Sequence, residues 1–214
     1  MSRFTVLLGG ELTVTPRVLS QVTGTRLIAA DAGIRHAAAL GVVPELWVGD
    51  FDTPLTGVDG WVADVERRTF PKAKDQTDGE LAVAEALSRG ASSIVMVGAF
   101  GGPRFDHSFF HVALAARLAG QGVEVLLTSG AQEGVALKQD LQTFDYADGT
   151  VFSVLGLTDL EDLTVEGARW PLNSVHVPLG SSWTISNEVS GTLRVSLKSG
   201  RAMLLAHPYP AEGF

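Results

Sequence analysis

Cysteine is absent from this chain of 214 residues. Its absence excludes disulfide bonds, thiolate zinc sites and a cysteine nucleophile. Positive charge is also scarce, since 16 lysines and arginines stand against 24 acidic residues and give a formal net charge of -8. An acidic chain does not hold nucleic acid or an anionic membrane by long-range attraction, so we expect neither as a partner.

Long apolar runs are missing too. No stretch approaches the length that spans a membrane, and the first residues lead into a short apolar segment without a basic leader. We therefore expect a cytoplasmic protein. The chain does contain 45% hydrophobic residues and 24 glycines. That composition suits one or two compact domains.

Two carboxylates, Asp50 and Asp52, directly follow the apolar segment Leu46-Trp47-Val48. An extended backbone projects both the same way, so their repulsion must be offset by a divalent cation, a shared proton or a basic partner. Residues 45–80 carry nine acidic residues and four basic ones, which favours a cation. The alternative is that the two aspartates cap the following turn.

Residues 1–130 alternate between short apolar runs and helical patterns. This alternation predicts an α/β domain with a mostly parallel sheet and helices on both faces. A capping box of Thr77 and Glu80 marks one helix start, and Gly41 and Gly90 mark helix ends. The predicted strands cover residues 4–8, 26–30, 46–48, 65–70, 94–97 and 123–127, and the other two helices cover 32–40 and 108–119.

Residues 131–214 lack a further amphipathic stretch of helical length and instead show short β-rich runs. These runs predict a second, all-β, sandwich-like domain. Lys198-Ser199-Gly200 is a candidate hairpin turn between two of them. The runs cover residues 150–155, 183–185, 192–197 and 202–206.

Four segments directly follow predicted strands: Gly9-Gly10, Asp31, the Asp50/Asp52 pair and the loop from Gly101 to His107. Ligands of parallel sheets bind beyond the carboxyl ends of the strands, so we expect these segments to converge. The last loop opens a helix, where free N–H groups favour a phosphate.

Within that loop, Arg104 can grip phosphate oxygens with its fork of donors. Asp106 is equally compatible with a helix N-cap, and His107 with a solvated first turn. Asp75 and Asp78 are carboxylates at another helix start, where capping and the helix dipole offer an ordinary explanation. Neither G-x-G-x-x-G nor G-x-x-x-x-G-K-[ST] occurs in a suitable context, which disfavours a standard dinucleotide fold and a P-loop.

Taken in order and spacing, a set of motifs resembles the thiamine pyrophosphokinase (thiamine diphosphokinase) family. The motifs are Asp31-Ala-Gly33, Pro44 with Gly49-Asp50-Phe-Asp52-Thr53, Lys74-Asp75-Gln-Thr77-Asp78-Gly-Glu80, the loop from Gly101 to His107, and Ser186-Asn187.

The resemblance implies transfer of diphosphate from ATP to the hydroxyl of thiamine, with Mg²⁺ required. It also implies a homodimer, with a nucleotide-binding catalytic domain at 1–130 and a thiamine-binding and dimerisation domain at 131–214. The implied catalytic and metal-binding residues are Asp50, Asp52, Asp75 and Asp78. Those implied for ATP are Asp31, Gly33, Lys74, Thr77, Gly101, Gly102, Arg104, Asp106 and His107, and those for thiamine are Ser186, Asn187 and Trp183.

Two positions depart from the family pattern. Ala32 stands where the family usually has glycine, and Pro103 lengthens the Gly101–His107 loop by one residue, which bears on the placement of Arg104. Trp183 is a candidate for stacking on thiamine, with core packing as the alternative, and Trp170 is predicted to be structural. The alternative functions are a Mg²⁺-dependent phosphohydrolase or another nucleotide transferase, and a non-catalytic nucleotide or thiamine sensor.

Overall fold

The computed structural model describes residues 2–51, 62, 64–71 and 75–208. Within them, six strands pair in parallel in the order β4-β3-β2-β1-β5-β6. Except for the polar, largely exposed edge strand β4, these strands form from the apolar runs of the sequence, because strands buried on both faces require continuous apolar segments. They are β1 (Ser2–Leu7), β2 (Arg26–Ala30), β3 (Leu46–Gly49), β4 (Glu66–Thr69), β5 (Ala91–Val97) and β6 (Glu124–Thr128).

Helices cover both faces of this parallel sheet. On one face, α3 (Asp78–Ser88) and α4 (Phe105–Ala119) share a core with alternate residues of β1. On the other face lie α1 (Pro16–Val22), a 3₁₀ helix (Asp31–Arg35) and α2 (His36–Leu40). The predicted α/β architecture is confirmed. Among the described residues, no helix has both the length and the apolar content to cross a membrane.

The second half of the chain is all-β, as predicted, and its strands pair antiparallel. Its strands continue the sheet in the order β6-β7-β13-β9-β12-β10-β11, and β8 pairs with β12. Because the sheet runs on from β6 into β7, the division at residue 130 stays a prediction. The strands are β7 (Glu133–Ala136), β8 (Gln142–Phe144), β9 (Val151–Gly156), β10 (Leu160–Ala168), β11 (Leu172–Val177), β12 (Asn187–Ser196) and β13 (Ala202–His207).

Strand β13 joins the two halves through its alternating side chains. Met203 is buried in the core that α3 and α4 cover, whereas Leu204 and Ala206 are buried in the core between the antiparallel strands. Successive side chains of a strand point to opposite faces, so one strand serves both cores.

Several local predictions were wrong or incomplete. Strands β12 and β13 do not pair with each other, so Lys198-Ser199-Gly200 is a connection between separated strands rather than a hairpin turn. Residues 183–185 form a turn instead of a strand, and α4 begins at Phe105 rather than Ser108. Helix α1 was not predicted, although Thr15 caps it and Pro16 opens it.

A buried carboxylate ties α1 to the antiparallel strands. Glu133 on β7 is 1% exposed and accepts hydrogen bonds from Arg17 Nε at 2.7 Å, Gln21 Nε2 at 2.5 Å and the Tyr146 hydroxyl at 3.1 Å. Arg17 also donates to Asp145 at 2.8 Å. Burial, followed by the negative charge of Glu133, raises the pKa of Tyr146. A buried charge is tolerated only when it is paired and hydrogen-bonded, and this one is.

Candidate active site

A cleft of about 550 Å³ opens at the carboxyl ends of the parallel strands. Five segments line it, each from a strand end or a helix start, which is where an open α/β sheet binds its ligands. The segments include residues 8–10, 30–32, 76–79, 98–99 and 101–104, and Arg35, Asp50, His107, Ser108 and His111 complete the lining.

The two glycine loops that follow β1 and β5 support each other. Gly10 N donates to Gly98 O at 3.0 Å, and Glu11 N donates to Phe100 O at 2.9 Å. A Cβ on Gly10 would collide with the Gly98 carbonyl, so only glycine permits this approach. The carboxylate of Glu11 accepts from Gly102 N at 3.2 Å and so holds the loop that precedes α4.

Asp31 lies in the cleft at the end of β2 with a φ of 43°, which is unusual for a residue other than glycine. Its carbonyl accepts a hydrogen bond from Trp47 Nε1 at 2.9 Å, which holds the turn in place. Two residues later, a Cβ on Gly33 would meet the Leu7 backbone. The Asp31-Ala-Gly33 segment therefore packs directly on β1, and Gly33 has a steric role.

Two of the predicted carboxylates, Asp50 and Asp78, line the cleft and are half-buried. Asp50 follows β3, and Asp78 is the first residue of α3, which Thr77 caps by accepting from Glu80 N at 3.2 Å. Mg²⁺ is typically bound by one or two carboxylates together with substrate phosphates, so this pair of oxygen donors fits a magnesium ion.

Of the other two predicted metal-binding carboxylates, the structure describes Asp75, which does not join this pair. Asp75 is exposed and is not among the residues that line the cleft. Asp52 and Lys74 lie outside the described residues. In the part of the chain that the structure describes, no group of three or more histidine, aspartate or glutamate side chains could hold a metal by itself.

Arg104 and Asp106 form a two-point ion pair at the start of α4. The Nε and Nη2 atoms of Arg104 donate to the carboxylate at 2.9 and 2.6 Å. This pairing lowers the pKa of Asp106 to about 2. Asp106 is the second residue of the helix, so the N-cap interpretation was wrong. Arg104 and His107 both line the cleft, at the N-terminus of α4.

Arg35 supplies a second cation to the cleft. Its Nη2 atom donates to Gly9 O at 2.5 Å and to Gly10 O at 3.0 Å. A guanidinium has five N–H donors, so an Arg35 anchored in this way keeps donors for an anion. The cleft thus combines carboxylates, two guanidinium groups and two helix N-termini.

Two buried histidines stabilise the glycine loops through hydrogen bonds to backbone carbonyls. His36 Nε2 donates to Gly10 O at 2.9 Å, and His111 Nδ1 donates to Ala99 O at 2.8 Å. Burial lowers the pKa of both imidazoles. The neutral rings act as fixed donors to backbone carbonyls.

The residues predicted for thiamine lie in the antiparallel part and are not among the residues that line the cleft. Ser186 has a φ of 60°. The side chain of Asn187 is buried and exchanges two hydrogen bonds with the Trp170 backbone, at 2.8 and 3.2 Å. Trp183 is 57% exposed and Trp170 is 53% exposed, so neither indole is a core residue.

Sequence reasoning gave no role to Glu11, Arg35 and His111, which lie in or beside the cleft. For two of them, the position in the sequence could have indicated a role in the site. Glu11 directly follows the glycine pair at the end of β1, and His111 stands four residues after His107 on one helix face. The sequence position of Arg35 gave no such indication, because its contact with the Gly9-Gly10 loop joins residues that are 26 positions apart.

Family models match most of the chain. The model described as "Thiamin pyrophosphokinase, catalytic domain" matches residues 22–127, and that described as "Thiamin pyrophosphokinase, vitamin B1 binding domain" matches residues 137–202. A curated relative, thiamine pyrophosphokinase of Bacillus subtilis, is 28% identical over 88% of this chain and 90% of its own length.

Solved structures agree in fold. The crystal structure of thiamine pyrophosphokinase from Bacillus subtilis superposes with a TM-score of 0.84 at 23% identity, covering 96% of this chain and 99% of that one. A thiamin pyrophosphokinase family protein from Enterococcus faecalis gives 0.80 at 25% identity, with the same coverage of both chains. The two family matches, the full-length relative and these folds together establish that the chain belongs to the thiamin pyrophosphokinase family.

Proposed function

We propose that this protein is a thiamine pyrophosphokinase that transfers diphosphate from ATP to the hydroxyl of thiamine, giving thiamine diphosphate and AMP. The observation that carries the proposal is the cleft, in which carboxylates, guanidinium groups and two helix N-termini meet in a chain of this family. ATP as phosphoryl donor accords with a cytoplasmic location, which we propose as well.

The triphosphate of ATP binds across the first turns of α3 and α4. Gly79, the segment 101–104 and His107 line the cleft there, and a helix N-terminus favours an anion. Arg35 and Arg104 add charge-assisted hydrogen bonds. Arg104 uses two of its five N–H donors on Asp106, so this ion pair orients the guanidinium and leaves donors for the phosphate.

Asp50 and Asp78 hold Mg²⁺ through their oxygens, joined by Asp52 and by Asp75 directly or through water. When bound, the ion neutralises charge on the phosphate oxygens. The support is the donor chemistry: both carboxylates are half-buried and line the same cleft, and Mg²⁺ is typically bound by one or two carboxylates together with substrate phosphates.

In the transfer, the thiamine hydroxyl oxygen forms a bond to the β-phosphorus of ATP. The bond between that phosphorus and the oxygen bridging to the α-phosphorus breaks, and AMP leaves with the bridging oxygen. The hydroxyl proton passes to a carboxylate, Asp52 or Asp78. Little covalent chemistry is asked of the protein, so alignment and electrostatics dominate.

Thiamine binds against Ser186, Asn187 and the exposed indole of Trp183, and a homodimer brings these residues to the cleft of the partner subunit. Two observations support this arrangement. Ser186, Asn187 and Trp183 do not line the cleft of their own chain. Trp183 also forms an exposed apolar surface together with Leu179 and Ile185.

The test is a product assay with ATP, Mg²⁺ and thiamine. The proposal predicts that ATP consumption depends on thiamine and yields AMP. ADP or free phosphate as the product would indicate another transferase or a phosphohydrolase, and binding without turnover would indicate a sensor. Each of these three results contradicts the proposal.

A further inference from the structure

His111 presents one fixed hydrogen-bond acceptor to the cleft. Its Nδ1 atom lies 2.8 Å from the Ala99 carbonyl oxygen, which can only accept, so Nδ1 carries the ring hydrogen. The side chain is 7% exposed, and burial lowers the pKa of the imidazole. The neutral ring therefore has a bare lone pair on Nε2.

That Nε2 atom faces the start of α3. A Cβ built on Gly79 would lie 3.7 Å from it, and both residues line the cleft. Among the described residues, Nε2 has no hydrogen-bond partner, since the one polar contact of the ring is made by Nδ1. Nε2 is not among the buried side-chain atoms that lack a partner in the described part of the chain, so water reaches it from the cleft, and a ligand that displaces this water must supply a hydrogen-bond donor in its place.

The required donor excludes the phosphates. Phosphate oxygens of ATP carry almost no hydrogen near neutral pH, so they are acceptors like Nε2 and the two lone pairs would repel each other. The nucleoside part of ATP has three such donors, the 2′-hydroxyl, the 3′-hydroxyl and the exocyclic amino group. Thiamine is the other bound molecule with donors, but its candidate residues Trp183, Ser186 and Asn187 do not line this cleft.

We propose that His111 Nε2 accepts a hydrogen bond from the nucleoside of ATP and so helps to select and orient the nucleotide, an inference that rests on the proposed function. The second turn of α4 carries this acceptor, one turn beyond the Gly101–His107 loop that binds the phosphates. One helix thus contacts both ends of the nucleotide.

Equilibrium binding in the presence of Mg²⁺ and without thiamine tests the inference. Calorimetry compares ATP with 2′-deoxy-ATP, 3′-deoxy-ATP and inosine triphosphate, each of which lacks one of the three donors. Wild-type protein binds one of these analogues about fivefold more weakly than ATP, as expected for one lost hydrogen bond.

The amide of His111→Asn keeps a donor at the Nδ1 position but has nothing at Nε2. This variant binds ATP about fivefold more weakly and no longer distinguishes that analogue.

His111→Gln restores an acceptor at the Nε2 position and recovers the preference for ATP. Equal binding of all four nucleotides by the wild type overturns the inference whether or not either variant folds. A preference that survives in folded His111→Asn overturns it as well. Because binding is read without turnover, these outcomes are separate from failure of the proposed function, which the product assay reports.

Discussion

At the scale of single residues, Asp50 and Asp78 are the side chains on which the proposed chemistry depends. Replacing either carboxylate by Asn keeps its size but removes the charge that a cation requires. We expect Asp50→Asn and Asp78→Asn each to lower kcat by about 100-fold or more. Steady-state kinetics with ATP and thiamine measures the effect.

The matched control for those variants is Asp64→Asn, which removes an exposed carboxylate outside the cleft. It should leave kcat within about twofold of wild type, and the melting temperatures of all three variants should stay close together. Near-normal turnover in both cleft variants would remove the metal-site proposal.

His36 makes the stability of the fold sensitive to acid. Burial lowers its pKa from the model-compound value of 6.5. A histidine whose folded-state pKa is depressed adds stability that is complete above the unfolded value and is lost as pH falls through the folded value. His111 and His207 shift in the same direction. The melting temperature should therefore fall as pH drops below about 6.5.

The variant His36→Gln tests this pH dependence. Its amide can still donate to Gly10 O but does not titrate, so the melting temperature should fall less steeply with acid than in the wild type. Thermal unfolding followed by circular dichroism at several pH values measures the slope. An unchanged slope, with similar stability at pH 8, would show that His36 does not carry the effect.

Residue types at strand ends predicted part of the site. Asp31, Asp50 and the Gly101–His107 loop were identifiable because each directly follows an apolar run, and the structure brings them to one cleft. The contacts of Arg35 and Glu11 could not be predicted from the sequence, because each of these side chains binds a backbone group in a different loop. Such contacts depend on which loops become neighbours, and local spacing does not contain that information.

At the scale of elements, the link between α1 and β7 rests on the buried carboxylate of Glu133. Replacing it by Gln leaves Arg17 without one of its two carboxylates and breaks a buried pair. We expect Glu133→Gln to lower the free energy of unfolding by about 2 kcal/mol, below the full cost of a broken buried pair because Arg17 is partly exposed. Denaturant titration measures this change.

The control for Glu133→Gln is Glu124→Gln, which breaks the exposed pair with Lys138, whose atoms lie 3.0 Å apart. Exposed pairs contribute little, so the loss should stay below about 0.5 kcal/mol. Equal losses in the two variants would contradict the assigned difference between buried and exposed carboxylates.

Elements of the parallel half were predictable because their signals are local. Thr77 and Gly41 marked real helix boundaries, and continuous apolar runs marked real strands. Pairing in the antiparallel half was not predictable. Lys198-Ser199-Gly200 has hairpin composition, yet β12 and β13 are separated in the sheet by β9. Long-range register, not turn chemistry, decides which strands become neighbours there.

At the scale of the whole molecule, the proposed dimer predicts complementation between two inactive variants. Asp50→Asn removes the metal side of a site, and Trp183→Ala removes its thiamine side. If each active site combines the cleft of one subunit with the Trp183 surface of its partner, a refolded equal mixture should recover about a quarter of wild-type activity.

That recovery arises because half of the mixed molecules are heterodimers in which one of two sites is intact. Each variant assayed alone should remain near its low activity, and light scattering should report a dimer. A mixture no more active than the two variants alone would contradict sites shared between subunits.

The most direct measurement is a crystal structure of the protein with Mg²⁺ and a non-hydrolysable ATP analogue. The triphosphate should lie across the first turns of α3 and α4, with an Asp50 oxygen about 2.1 Å from the ion. An analogue bound elsewhere, or phosphates in the cleft with no ion near Asp50 and Asp78, would contradict the proposed site.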